Sequence, residues 1–146
     1  VSLDLASYNV VDENLDFLKR IVKEYVDIVF ANEEEARSFT GMQPNEALVE
    51  LAKMAKIAVV KIGKEGSLVK SGKEEFHIPA TRATVVDTNG AGDIYAAGFL
   101  YGLSQGWSLD RCGRAGALLA GKIIGQTGAR LNDESWEETL PLLQSI

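Results

Sequence analysis

Two short apolar runs constrain the fold of this chain more than anything else in it: Asp-Ile-Val-Phe-Ala at residues 27–31 and Ile-Ala-Val-Val-Lys-Ile at residues 57–62. Runs of this length, nearly continuous and rich in β-branched residues, read as strands buried on both faces, the habit of parallel sheets covered by helices. The surrounding chain agrees. Residues 1–5 make a short strand, and Leu15, Leu18, Ile21, Val22 and Tyr25 fall at helical spacing within residues 11–25. Strand, helix and strand in that order require a parallel βαβ unit.

Between the two runs, Asn32 and Glu35 have the spacing of an N-cap and its reciprocal acid, opening a helix to about Thr40. Gly41 ends that helix, and Pro44 suits the first turn of another that continues to about Ala55. Gly63 to Gly66 turns the chain into residues 67–71, and Gly72-Lys73 turns it again into residues 74–78; both strands alternate and predict an edge hairpin. Residues 84–87 read as a strand leading into a helix from about Ala91. Ser108 can cap a helix over residues 109–126, a glycine stop follows at residues 125–129, and Ser135-Trp-Glu-Glu138 reads as a capping box for a last helix to about Gln144. The sum is one α/β domain over residues 1–146, with a mainly parallel sheet, helices on both faces and an antiparallel edge hairpin.

Composition narrows the function. A length of 146 residues with 46% hydrophobic content supports a real core, and a formal net charge of −6 argues against nucleic acid or anionic membrane as partner. Any bound anion must be held locally. The single cysteine, Cys112, precludes an internal disulfide and reads as a packing residue in a reducing compartment. No stretch reaches the roughly 18 apolar residues of a membrane span and no signal peptide opens the chain, so the cytoplasm is the expected address. A strand at position 1 without a polar lead-in reads as the start of a piece cut from something longer. His77, the only histidine, has no second ligand near it in the sequence and reads as a surface residue.

Chemistry concentrates in residues 87–100, Asp-Thr-Asn-Gly-Ala-Gly-Asp-Ile-Tyr-Ala-Ala-Gly-Phe-Leu. A glycine-rich turn runs directly into an amphipathic stretch, so the unpaired N–H groups of a helix start face outward and favour anions. Gly90 and Gly92 let a polyphosphate approach the backbone closely. Asp93 would repel that anion unless it has a task, and the task is receiving the proton of an acceptor hydroxyl. The plainer account also stands: Asp87, Thr88 and Asn89 cap the helix, and Asp93 complements its dipole.

The string resembles the second signature of the pfkB family of carbohydrate and nucleoside kinases, with Asp87, Thr88, Gly90, Ala91, Gly92, Asp93, Ala97 and Gly98 in matching places. The resemblance implies a three-layer ribokinase-like fold, of which this chain corresponds to the carboxyl half. It implies an ATP-dependent kinase in which Asp93 is the base, Gly90, Ala91, Gly92 and the Asp93 backbone form an anion hole, and Mg2+ bridges phosphates. Residues 29–41 resemble the family's Asn-x-x-Glu element, so that Asn32 and Glu35 help place magnesium through water. Lys61, Gly63 and Gly66 are implied nucleotide contacts, although the family often has a small hydroxyl residue in place of Lys61. Ala117, Ala120 and Gly121 are implied as one wall of the adenine pocket, where close helix packing is the alternative. Asp87 and the loop at residues 126–128 are implied to hold K+.

The resemblance implies a small-molecule sugar or nucleoside as acceptor, and Asp4-Leu-Ala-Ser-Tyr-Asn9, which looks more like adenosine-kinase-like members than sugar-specific ones, leans it towards a nucleoside or ribose-type acceptor. A homodimer stays open, as do a nucleotide-binding fragment or pseudokinase without turnover and a purely structural domain.

Overall fold

The computed structural model describes all 146 residues. Its single five-stranded sheet follows chain order: β1 (Ser2–Asp4), β2 (Ile28–Asn32), β3 (Ile57–Lys61), β4 (Ser67–Ser71) and β5 (Glu74–Ile78). β1, β2 and β3 are parallel, and β3 and β4 are antiparallel. The α/β class and the mixed sheet with its edge hairpin are therefore as the sequence predicts. Two helices, α1 (Tyr8–Glu13) and α2 (Leu15–Tyr25), join β1 to β2; α3 (Glu33–Thr40) and α4 (Pro44–Met54) join β2 to β3. α5 (Ala91–Ser104), α6 (Leu109–Ile124) and α7 (Asp133–Ser145) complete the chain.

The chain divides into two compact units: residues 1–63 with 67–77, and residues 64–66 with 78–146. In the first, Val29, Ala31, Ala58, Val60 and Leu68 share one face of the sheet with Val22, Phe39, Leu48 and Leu51 of the helices, and all are buried. The register places Val29 beside Ala58 and Ala31 beside Val60, so the alternation of the sequence becomes one continuous apolar layer. In the second, Ala115, Leu119 and Ile123 of α6 pack with Leu131 and Leu143, flanked by Ile94, Trp107 and Trp136.

Three local expectations are corrected. The helix over residues 11–25 is two helices, because Asn14 caps both: its backbone N–H and its Nδ2 turn back to the Val10 carbonyl and stop the ladder. The strand at residues 84–87 does not form. Its β-branched residues have no neighbouring strand, and the Val86 and Asp87 N–H groups donate to the Ile124 carbonyl at the end of α6. The last helix starts at Asp133 with Asn132 as its cap. Asn132 Oδ1 accepts the Ser135 N–H at 2.8 Å, while the Ser135 hydroxyl donates to Gln126 instead.

Candidate functional site

In the first unit the sequence-predicted residues gather where the parallel strands end. Asn32 is the last residue of β2, and its register partner in β3 is Lys61. The capping box is complete: Asn32 Oδ1 accepts the Glu35 N–H at 2.8 Å, and Glu35 Oε2 accepts the Asn32 N–H at 2.8 Å. A third bond runs from Asn32 Nδ2 to Glu35 Oε1 at 2.9 Å. Glu35 is a buried acid, 4% exposed. Burial pushes its carboxyl above the ordinary value and the Asp4 charge adds to this, while the Asn32 N–H and the Lys61 ammonium pull against it.

Both Glu35 oxygens already accept bonds from Asn32, the amide of Asn32 is spent on Glu35, and no group of three or more His, Cys, Asp or Glu side chains stands ready for a metal. The pair is a closed cap. The residue sequence reasoning missed is Asp4. Its Oδ2 accepts a 2.7 Å ion pair from Lys61 Nζ, with the two side chains 27% and 16% exposed. An acid closing a parallel strand at its carboxyl end was the available signal. Gly63, two residues on, has φ +56 with open space where a Cβ would stand, so conformation alone accounts for it.

In the second unit α5 begins with Gly90 in the left-handed conformation, φ 75, and no side chain caps it. Capping by Asp87, Thr88 or Asn89 is thus not realised. A Cβ at Gly90 would stand 2.7 Å from the Ala129 Cβ, so glycine is required twice over. The Ala91 N–H, one of the implied anion-hole donors, is turned to the Thr88 carbonyl at 3.2 Å. The N–H groups of Gly92 and Asp93 remain unpaired in the first turn. Asp93 is exposed, and its carboxylate has neither a hydrogen-bond donor nor an ion-pair partner.

Asp87 has a different role. Its Oδ1 accepts the Asn89 N–H at 3.0 Å and its Oδ2 accepts the Gly128 N–H at 3.0 Å, and these donors, Asn89 first, hold its carboxyl below the ordinary value. The Gly128 N–H thus ties this acid to the loop at residues 126–128. Along α6, Ala117 is buried, Ala120 is half-buried, and a Cβ on Gly121 would stand 2.7 Å from the Thr81 Cβ. Packing accounts for Gly121. Gly66 is explained the same way, since its Cβ would stand 1.9 Å from the Ile78 carbonyl oxygen.

Comparison with known proteins agrees with the string from which the chemistry was read. The family model described as pfkB family carbohydrate kinase matches residues 5–136. A sugar kinase of Archaeoglobus fulgidus, itself uncharacterized, is 35% identical over 120 residues, covering 82% of this chain and 48% of that protein. A cytidine kinase of Thermococcus kodakarensis is 38% identical over 117 residues, covering 77% of this chain and 42% of its own length. The crystal structure of adenosine kinase from Sinorhizobium meliloti superposes with a TM-score of 0.90 at 37% identity, over 97% of this chain and 44% of that one. The chain thus spans somewhat less than half the length of these relatives. With the signature string, the mixed sheet and the family match in agreement, the chain belongs to the pfkB family of carbohydrate kinases.

Proposed function

We propose that this chain carries the phosphoryl-donor side of an ATP-dependent kinase acting on a primary hydroxyl of a nucleoside or sugar. The observation that carries the reading is the start of α5: an exposed carboxylate without a partner, Asp93, beside the unpaired N–H groups of Gly92 and Asp93. Asp93 accepts the hydroxyl proton as the oxygen attacks the γ-phosphorus, the bond to the β-phosphate oxygen breaks, and ADP leaves. The Gly92 and Asp93 N–H groups, with that of Gly90, face the charge on the transferred group. Magnesium enters with the nucleotide as Mg·ATP. Ala117 and Ala120 line the adenine side. A nucleoside acceptor is favoured by the names of the cytidine and adenosine kinases among the relatives.

Transfer of label from γ-labelled ATP to a panel of nucleosides and sugars tests the reading. A phosphorylated acceptor is expected, and no transfer to any of them contradicts it. The chain's coverage of less than half of its relatives favours a second reading, a nucleotide-binding module without turnover of its own. Calorimetric binding of Mg·ATP with no transfer selects it. Absence of binding leaves only a structural domain.

A further inference from the structure

Within the second unit, the loop from α6 to α7 is tied down on both sides and lies against the start of α5. Gly128, at φ +93, donates its N–H to Asp87 Oδ2 at 3.0 Å. Gln126 Nε2 donates across the loop to the Arg130 carbonyl, and Gln126 Oε1 accepts the Ser135 hydroxyl at 3.1 Å. Between these ties Ala129 meets Gly90: its Cα would stand 3.1 Å from a Cβ placed there. Arg130 is the next residue. Its backbone is therefore fixed beside the turn that opens α5, while its guanidinium is exposed and has no partner. The other cations of residues 78–146 are engaged or placed elsewhere. Arg114 pairs with Asp110, Lys122 pairs with Glu138, and Arg111 lies 3.9 Å over the Trp107 ring. Arg82 follows Thr81, which packs on Gly121 in α6. Charge then decides what Arg130 is for. A helix start supplies about half a positive charge, less than the Asp93 carboxylate removes from the same turn. A terminal phosphate of about −2 needs a full cation there.

We propose that Arg130 is a binding residue for the terminal phosphate of ATP, its guanidinium meeting oxygens of the group that the Gly92 and Asp93 N–H groups face. The inference rests on the kinase reading above and adds to it the side chain that separates a triphosphate from a diphosphate. A guanidinium presents two parallel N–H donors to one phosphate, a geometry a lysine ammonium lacks. With the Arg130 carbonyl already held by Gln126, only the side chain is ordered when the anion arrives. ADP lacks the group that Arg130 meets, so the residue favours substrate over product.

Titration calorimetry of Mg·ATP and Mg·ADP tests this on the wild-type chain, Arg130→Met, Arg130→Lys and Arg82→Met. Arg130→Met is expected to bind Mg·ATP about 10-fold more weakly, the low end for charge-assisted bonds at an open site, and Mg·ADP within about twofold of wild type. Arg130→Lys should fall between wild type and Arg130→Met for Mg·ATP, and Arg82→Met should bind both nucleotides as wild type does. Because Arg130 is exposed, its variants should melt with wild type, and Arg130→Gln serves the same purpose should Arg130→Met fail to fold. Equal losses for ATP and ADP, no loss for either, or a loss in Arg82→Met in place of Arg130→Met overturns the proposal while leaving the kinase reading intact. A wild-type chain that binds neither nucleotide removes both.

Discussion

At the scale of single residues, two acids that look equivalent in the sequence do opposite things. Asp87 spends its carboxylate on two backbone N–H groups and closes the loop at Gly128, whereas Asp93, six residues on, keeps its carboxylate free. The sign of the Asp87 linkage follows from its direction. A carboxyl held lower in the folded chain than in the unfolded one contributes stability above its ordinary value of 3.8, and that contribution is lost as pH falls through the folded value. Asp87→Asn should therefore lower the denaturation midpoint at pH 7, and the gap to wild type should close in acid below pH 3.8. A gap that persists unchanged at low pH would point to shape rather than charge. Asn32 yields a second expectation. Asn32→Ala removes the cap of α3 and strips the buried Glu35 of its bonds, costing about 1–2 kcal/mol in urea unfolding, while Asn32→Asp retains the backbone cap but sets two carboxylates together.

At the scale of elements, the packing of α5 on α6 is set by glycines. A Cβ on Gly116 would stand 2.8 Å from the Tyr95 carbonyl oxygen, and one on Gly98 would stand 2.9 Å from the Ala115 carbonyl oxygen. Backbone atoms cannot step aside as a side-chain tip can. Gly116→Ala therefore sets about 1 kcal/mol of helix propensity against about 1–3 kcal/mol of overpacking, and should be destabilising. Gly125→Ala is the control, since its nearest neighbour would be 3.5 Å away; thermal melts should place it close to wild type. A stabilised Gly116→Ala would mean that the helices are free to part.

The same elements show what could be read from the chain alone. The capping box at Asn32 and Glu35, the Gly41 stop with φ 76 and the Ser108 cap are local chemistry, and local chemistry is written in adjacent residues. The run at residues 84–87 has strand composition, yet a strand needs a partner, and no property of Thr84-Val-Val-Asp87 says where its N–H groups will go. Gly121 was legible as small but not as filled, because Thr81 lies 40 positions away in sequence. Asp4 was passed over for a related reason: its meaning depends on Lys61, two strands distant.

At the scale of the whole molecule, nucleotide binding should appear as stability before it appears as turnover. A ligand at about 100 times its Kd stabilises the folded state by about 2.7 kcal/mol, so Mg·ATP should raise the melting midpoint by several degrees. No helix is long and apolar enough to cross a membrane. The central claim is that Asp93 is the base of a phosphoryl transfer, and one comparison tests it directly: Mg·ATP binding and acceptor phosphorylation measured side by side for wild type and Asp93→Asn. The account predicts nucleotide affinity within about threefold of wild type, because asparagine keeps the size and the backbone N–H, and a fall in turnover of about 10²–10⁴-fold. Turnover retained by Asp93→Asn would contradict it.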